Sequence, residues 1–237
     1  MHNRRFLAVF IILLGALGVF VTAAAQGPFL QGGLQALVYH ALQLDRLQQD
    51  LNPLGVAISQ FENAIRTGEG DEALLLLGLV YQNLDRDVEA AAHYESFLRR
   101  NPEEGWAYGL LGDAYLRLGY HDLAEEAYTK AVEFGELARA YYGLGNIFLD
   151  SQDYSAARDA FDKALADAPE FVGARVGMGI SLYHLEEYEE AAEVLEFSQL
   201  LDPRSVEIHQ YLALTYDALG RTEQAQHTRE RIEQLTP

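Results

Sequence analysis

The stretch DEALLLLGLVYQNLDRDVEAAAHYESFLRRNP, residues 71–102, decides the fold, because its pattern of small, aromatic and proline residues recurs along the chain. In this copy the marked positions are Gly78, Tyr81, Ala90, Tyr94 and Pro102. Four further copies follow at steps of 34 residues, except for one step of 33 between Gly112 and Gly145. A constant period of this length predicts an array of structural repeats instead of one globular core.

The later copies keep most of the marked positions. They read Gly112, Tyr115, Ala124 and Tyr128; Gly145, Phe148, Ala157, Phe161 and Pro169; Gly179, Leu182, Ala191, Leu195 and Pro203; and Ala213, Tyr216, Ala225, Arg229 and Pro237. The last copy departs most from the pattern, and its final segment, Thr222 to Leu235, is mostly polar or charged. We therefore expect this segment to face water and to fray more than the rest of the array.

Each copy predicts two helices joined by a short polar turn. Apolar residues recur at helical spacing from Glu72 to Leu84 and again from Val88 to Leu98, with Asp85-Arg86-Asp87 between them. Such a pair forms a helical hairpin. Pro102 disfavours helix at the residue before it, so it ends the second helix. The copy without this proline has Gly135 in its place, and glycine is a suitable left-handed cap.

The glycine that recurs in the first helices lowers the stability of each helix, so each copy needs a compensating interaction. A glycine inside a helix is less favourable than alanine by about 1 kcal/mol. We infer that the gain is close packing within the hairpin, with Gly78 facing Ala90 while Tyr81 and Tyr94 fill the space beside that contact.

The period, with Leu-Gly and Tyr in the first helix and Ala, an aromatic residue and Pro in the second, resembles the tetratricopeptide repeat. This resemblance implies an all-α fold, a right-handed superhelical solenoid of antiparallel helix hairpins. It also implies that the first helices line a concave groove that holds a segment of a partner protein.

The N-terminal segment is predicted to be a targeting signal. His2, Arg4 and Arg5 precede an apolar run from Phe6 to Val21, and Ala23-Ala24-Ala25 offers a cleavage site. Cleavage and retention as a membrane anchor both fit this pattern, and in either case the residues after Gln26 are exported. We expect a periplasmic protein, or one tethered to the inner membrane with the array on the periplasmic side.

These features divide the chain as follows: 1–25 signal or anchor, 26–37 linker and start of the first helix, 38–70 degenerate repeat, then repeats at 71–104, 105–137, 138–171 and 172–205, and a terminal capping repeat at 206–237. The degenerate repeat has helical patterns at Leu34 to Leu51 and Val56 to Ile65, and it lacks the packing glycine.

Charge restricts the classes of partner. The chain has 17 Lys and Arg against 36 Asp and Glu; residues 1–25 hold two arginines and no acid, so the remainder has 15 basic and 36 acidic side chains and a net charge of −21. Nucleic acid and anionic membrane surfaces are disfavoured, since both need a basic surface. The chain has no cysteine, which excludes disulfides and cysteine-based sites.

No motif predicts catalysis, a cofactor or a metal. Gly143-Leu144-Gly145 and Gly177-Met178-Gly179 imitate part of a nucleotide fingerprint, but no strand precedes them and the third glycine is absent. Asp150, Asp153 and Asp159 lack the glycine of a calcium loop. We predict a protein without enzymatic activity.

The candidate site is the predicted groove. Its residues belong to the first helices but lie outside the packing positions: Leu75, Leu79, Gln82 and Asn83; Trp106, Asp113, Leu116 and Arg117; Arg139, Tyr142, Asn146 and Asp150; and Val176, Ile180, Tyr183 and His184.

Two groups within this set suggest partner contacts. Trp106 is the only tryptophan, and it is either a binding hot spot or packed on the preceding second helix near Phe97. Arg117, Arg139 and Asn146 are candidates to hold a partner carboxylate or backbone.

The sequence thus predicts an interaction scaffold of the bacterial cell envelope that binds a protein or peptide segment in its groove. The alternative is a structural or adaptor subunit of a pilus, outer-membrane or cell-wall assembly that docks through an acidic outer face. The acidic run is Glu186, Glu187, Glu189, Glu190, Glu193 and Glu196, which is either such a face or a solvated helix surface.

Overall fold

The computed structural model describes residues 53–67 and 70–236, and all regular structure in these ranges is α-helical. This confirms the predicted all-α fold. The predicted signal or anchor, the linker at 26–37 and the helical pattern from Leu34 to Leu51 lie outside the described residues. The chain divides into two compact units, with the boundary between Glu103 and Glu104.

The first unit contributes three described helices, α1 (Pro53–Arg66), α2 (Asp71–Asn83) and α3 (Asp87–Leu98). Helix α1 packs on α2, and α2 and α3 form a hairpin. Helix α2 carries an almost unbroken apolar run, and the nine residues from Ala73 to Tyr81 are all buried. An ion pair between Arg100 and Asp71, 2.7 Å long, links the end of this hairpin to its beginning.

The second unit consists of four hairpins. Its helices are α4 (Gly105–Arg117) and α5 (His121–Glu133), α6 (Leu137–Asp150) and α7 (Tyr154–Asp167), α8 (Val172–His184) and α9 (Tyr188–Leu201), and α10 (Val206–Ala218) and α11 (Thr222–Leu235). The first helices α4, α6, α8 and α10 each contact the next one along, and the second helices α5, α7 and α9 pack against the first helix that follows. Within this unit the first helices therefore lie side by side.

The turns inside the hairpins share one geometry. After α2, α4, α6, α8 and α10, one residue adopts a positive φ, and these residues are Asp85, Gly119, Gln152, Glu186 and Gly220. The next backbone N–H donates to a carbonyl five residues earlier, as Tyr120 N–H does to Tyr115 O at 2.9 Å. This is the Schellman C-cap. Gly135, at φ 88° after α5, closes with the same bond between Glu136 N–H and Ala131 O, so the predicted glycine cap is confirmed.

The glycine that recurs in the first helices packs against a large side chain of the second helix, which is an aromatic ring in three of the four hairpins. A Cβ placed on Gly112 would lie 2.6 Å from the Tyr128 ring, and one on Gly145 would lie 2.5 Å from the Phe161 ring. In the same way, Gly78 lies against the Tyr94 ring, and a Cβ on Gly179 would lie 2.6 Å from Leu195. The close approach that we predicted is present, and in the first hairpin the atoms nearest the glycine belong to Tyr94, at the aromatic position of the second helix.

Helices α6 and α8 each contain a second glycine, two residues before the first, and this glycine also packs against an aromatic ring. A Cβ on Gly143 would lie 2.5 Å from Cε1 of Tyr128, and one on Gly177 would lie 2.6 Å from Cε2 of Phe161. Each ring thus lies between a glycine of its own hairpin and a glycine of the next hairpin. The Gly-x-Gly pairs in α6 and α8 are packing motifs.

The alanine position is fully buried in all five hairpins, at Ala90, Ala124, Ala157, Ala191 and Ala225. The last hairpin departs from the pattern at two positions: Ala213 replaces the glycine, and Arg229 replaces the large apolar residue of the second helix. Arg229 instead forms an ion pair with Asp217 at the surface. Helix α11 buries only Ala225 and Thr228, which agrees with the predicted water-facing segment.

We predict that Gly177→Ala destabilises the protein by about 1–3 kcal/mol, because the new methyl group would overlap the Phe161 ring. Gly173→Ala, one turn earlier in α8, is the matched control: its methyl group would lie 3.2 Å from Phe171 and Tyr142, and the gain in helix propensity of up to about 1 kcal/mol offsets that contact. Thermal unfolding followed by circular dichroism measures both. Equal losses at the two positions would contradict the sandwiched-ring packing.

Candidate functional site

The candidate site lies on the side-by-side first helices of the second unit. Relative to the packing glycine, the predicted groove residues occupy five recurring positions. One of these positions, six residues before the glycine or its alanine substitute, is filled in turn by Trp106, Arg139, Gly173 and Glu207. Because neighbouring first helices are in contact, residues in the same position follow one another across this surface.

Two of the four predicted groove residues of the first unit are internal. Leu75 and Leu79 are buried, since the apolar run of α2 covers its whole circumference. The Oε1 of half-buried Gln82 accepts a hydrogen bond from the Tyr94 hydroxyl at 2.9 Å. The exposed Asn83 donates its side-chain amide to the Leu79 carbonyl at 2.8 Å. Only Gln82 and Asn83 of this group reach the surface.

Helices α4 and α6 carry an ion pair in the predicted groove. Arg139 Nη1 lies 3.3 Å from Asp113 Oδ2, and the Tyr128 hydroxyl donates to Asp113 Oδ1 at 2.7 Å. Gly109 makes room for the Arg139 chain, because a Cβ there would lie 2.8 Å from Arg139 Cδ. Arg139 was expected to hold a partner carboxylate, but it already has one within the unit.

Burial dominates the electrostatics of this network. Loss of solvation raises the pKa of Asp113, and this outweighs the opposing effects of Arg139 and of the Tyr128 hydrogen bond. Burial also raises the pKa of the Tyr128 hydroxyl, and of Glu136 nearby. The contacts of Asp113 with Tyr128 and Arg139 join α4, α5 and α6, so the carboxylate beside Arg139 comes from the unit itself.

Trp106, at the start of α4, is half-buried. Its indole N–H donates to Glu104 Oε2 at 2.6 Å. Leu116 is also half-buried, whereas Arg117 is exposed at the end of α4.

A concavity of this surface lies between α6, α8 and α10. It has a volume of about 310 Å³ and is lined by Tyr142, Asn146 and Leu149 of α6; Val172, Gly173, Val176, Gly177 and Ile180 of α8; and Asp202, Ser205, Glu207 and Ile208 at the start of α10. We call it the α8 pocket. Four predicted groove residues, Tyr142, Asn146, Val176 and Ile180, meet in it.

The α8 pocket exists because one repeated position has no side chain. Gly173 occupies the position that carries Trp106, Arg139 and Glu207 in the other first helices. The Tyr142 ring fills part of the space beside it, and packs against the Phe171 ring at a centroid distance of 4.8 Å. The remaining space is open and is lined by both polar and apolar groups.

An aromatic cluster continues the surface beyond the α8 pocket. The His184 ring stacks on Tyr154 at a centroid distance of 4.3 Å, and Tyr183 and Tyr211 meet it edge-on. Tyr183 and Tyr211 also contact one another at 6.0 Å. The two predicted groove residues in this cluster, Tyr183 and His184, are therefore brought together with Tyr211, one turn beyond the pocket.

Comparison with known proteins identifies the chain. A family model for the cilia and flagella-associated protein 70 C-terminal domain, a tetratricopeptide repeat domain, matches residues 40–230. The chain belongs to this family. The human cilia- and flagella-associated protein 70 is 30% identical over 123 residues, which cover 50% of this chain and 11% of that protein. The chain thus corresponds to a small part of the relatives' length.

Solved tetratricopeptide repeat structures share the fold of this family member. MamA from Desulfovibrio magneticus RS-1 has a TM-score of 0.61 and 18% identity, and the match covers 76% of this chain and 94% of that one. YrrB, described as a TPR protein with an unusual peptide-binding site, has a TM-score of 0.60 and 20% identity, with 75% and 92% covered. At these identities the likeness establishes the fold.

Several lining residues of this repeat domain were not predicted. The predicted groove residues come from the first four copies only. Glu207, which stands one period after Gly173, would have followed from the fifth copy. Asp202 and Ser205 belong to the connection before α10, where no repeated pattern marks them.

The acidic run lies on and before α9, and all six of its glutamates are exposed. Two of them have partners, since Glu187 lies 3.4 Å from Arg158 and Glu196 accepts a hydrogen bond from Tyr216 at 2.8 Å. Burial and this bond to Glu196 raise the pKa of Tyr216 to about 12. In the described ranges, no group of three or more His, Asp or Glu is arranged to hold a metal, and none of the helices in residues 53–67 and 70–236 is long and apolar enough to cross a membrane.

We predict that Asp113→Asn becomes more stable, relative to the unmodified protein, as the pH rises from about 4 to 7. Burial raises the pKa of Asp113 in the folded protein above its value of 3.8 in the unfolded chain, so the protonated carboxyl group stabilises the fold at low pH. This stabilisation is lost as the pH rises through the folded-state pKa, whereas asparagine does not titrate. Asparagine keeps an oxygen for the Tyr128 hydroxyl. Melting temperatures across this pH range measure the difference; a deficit of the variant that grows with pH would show that the Arg139 pair outweighs burial.

Proposed function

We propose that this chain is a protein-interaction scaffold whose first-helix surface, in residues 104–236, binds a segment of a partner protein. The α8 pocket carries this proposal, because three successive first helices contribute to one open cavity whose walls include Val176 and Ile180. Its volume lies at the low end of ligand-binding cavities, a size suited to one or two side chains of a peptide.

The fold supports the same proposal. Repeat arrays offer extended surfaces, and extended segments that lie along them gain affinity from many small contacts. YrrB, which shares the fold, has a peptide-binding site. Half-buried aromatic side chains one turn beyond the α8 pocket, Tyr183 and Tyr211, add to the surface that a partner segment would cover.

The proposed location is the bacterial cell envelope, in the periplasm or on the periplasmic side of the inner membrane. The basic head, the apolar run and the alanines before Gln26 support export. Whether an anchor holds the array at the membrane depends on cleavage near Ala25.

An adaptor that docks through the acidic outer face is the second candidate function. It is supported by Glu189, Glu190 and Glu193, which are exposed on one helix and form no direct ion pair with Lys or Arg within the described part of the chain. Replacing Glu189 and Glu190 with glutamine should weaken complex formation under this function alone, since both side chains lie outside the α8 pocket.

We predict that a photo-crosslinking amino acid in place of Gln210, which is exposed on α10 near the pocket, captures discrete partners in cells. The same amino acid in place of exposed Ser155 on α7 is the positional control. Filling the pocket with Asn146→Phe should remove the adducts at position 210, whereas Ser155→Phe should leave them. Mass spectrometry identifies the adducts, and adducts that persist in the Asn146→Phe protein would overturn groove binding.

We further predict that the protein recovered from native cells is found in the periplasmic or inner-membrane fraction. Sequencing of its N-terminus should begin near Gln26 if the segment is cleaved, and near Met1 if it is retained as an anchor. Recovery in the cytoplasmic fraction would contradict the proposed location and leave groove binding unaffected.

A further inference from the structure

We propose that the α8 pocket selects a partner segment in which a lysine or arginine stands next to a large aliphatic residue. This inference rests on the proposed groove function and names the chemistry of its ligand. The aliphatic side chain enters the pocket, and the cationic group lies at the rim formed by Asp202 and Glu207.

The rim is acidic and lacks a compensating cation. Asp202 and Glu207 are exposed, and within the described residues neither forms an ion pair with Lys or Arg. Asp202 accepts only the backbone N–H of Arg204, at 3.1 Å, through one carboxylate oxygen. Glu207 lies in the first turn of α10. Two carboxylates on one side of a small cavity favour a positive group there.

The arginines of the helices that line the pocket are engaged elsewhere, and the exposed Arg204, in the connection between Asp202 and Glu207, forms no ion pair with either of them. Arg139 of α6 is paired with Asp113 at 3.3 Å. Arg175 of α8 donates to the Pro169 carbonyl, and its guanidinium lies 4.5 Å from the centre of the Phe197 ring. None of the residues that line the α8 pocket is Lys or Arg. An anionic partner segment would therefore meet uncompensated negative charge at this site.

The apolar residues that line the pocket favour a large aliphatic residue next to the cationic residue of the partner segment. Val176, Ile180 and Ile208 are buried with their side chains in one apolar cluster, and Val172 and Leu149 pack against it. A large aliphatic side chain in the cavity would contact the partly buried Val172 and Leu149 and the small exposed parts of Val176 and Ile180, and its own removal from water would favour binding. Asn146, on the opposite side, offers a donor and an acceptor to the backbone of the bound segment.

The negative net charge of the chain also favours a cationic partner segment. With 15 basic against 36 acidic side chains after residue 25, the protein attracts cationic segments over a distance, but this attraction is screened beyond about 8–10 Å at physiological salt. Discrimination between partners must then come from the local carboxylates at the rim. Neutralising those two carboxylates separates the local effect from the effect of net charge.

The test uses fluorescent octapeptide pools in which six positions are randomised and the central pair is fixed as Lys-Leu, Arg-Leu, Gln-Leu or Glu-Leu. Fluorescence anisotropy with the full exported chain measures the apparent Kd of each pool. Exposed ion pairs are modest, so we expect the Lys-Leu and Arg-Leu pools to bind about three- to tenfold more tightly than Gln-Leu, with Glu-Leu weakest.

Asp202→Asn with Glu207→Gln should reduce the preference for Lys-Leu over Gln-Leu to about onefold while leaving Gln-Leu binding unchanged. Asparagine at 202 still accepts the Arg204 N–H, so the connection before α10 keeps its hydrogen bond. The matched control, Glu189→Gln with Glu193→Gln, removes the same charge from α9 outside the pocket and should keep the preference. Circular dichroism confirms that both proteins retain their helices.

The outcomes are distinct. Equal binding of all four pools, or a preference that survives neutralisation of the rim, would overturn the cationic selection and leave groove binding in place. Loss of the preference in the α9 control as well would assign it to net charge and would also overturn the proposal. Absence of binding by every pool, or binding that persists in Asn146→Phe, would overturn the proposed groove function too.

Discussion

An aromatic ring held between glycines is the contact on which the array depends. Tyr128 lies against Gly112 of its own hairpin and Gly143 of the next, and Phe161 lies in the same way between Gly145 and Gly177. Each such ring closes one hairpin and joins it to its neighbour. The helix penalty of glycine is small compared with the burial of a whole ring, which explains why the same residues return in each copy.

This contact also determines where the proposed binding surface lies. The rings and the buried alanines occupy the interface between the first and second helices, so the opposite face of each first helix is left for other contacts. Because α4, α6, α8 and α10 lie side by side, that face is continuous within the second unit. Where the repeated position carries a large side chain, such as Arg139, the surface is filled; where it carries Gly173, the α8 pocket opens.

Much of this arrangement was accessible from sequence patterns. The helix positions, the Gly135 cap, the buried alanines and the water-facing last helix all follow from local chemistry repeated at a fixed period. The prediction placed Ala90 opposite Gly78, whereas the nearest atoms belong to Tyr94, because periodicity shows which residues recur but not which side chain of the opposite helix comes closest. Leu75 and Leu79 illustrate a related limit, since a first-helix position can be a groove wall or interior, depending on what packs over it.

The sequence by itself determined the repeat period, the two helices of each copy, the acidic charge and the absence of cysteine, because each of these is written in residue types and short spacings. Only the tertiary structure decided that Asp113 neutralises Arg139, that Tyr154, His184 and Tyr211 form one cluster, and that Asp202 and Glu207 border a cavity with Val176 and Ile180. These residues come from different hairpins. Their meeting depends on how successive helices pack, and that packing is a property of the folded array.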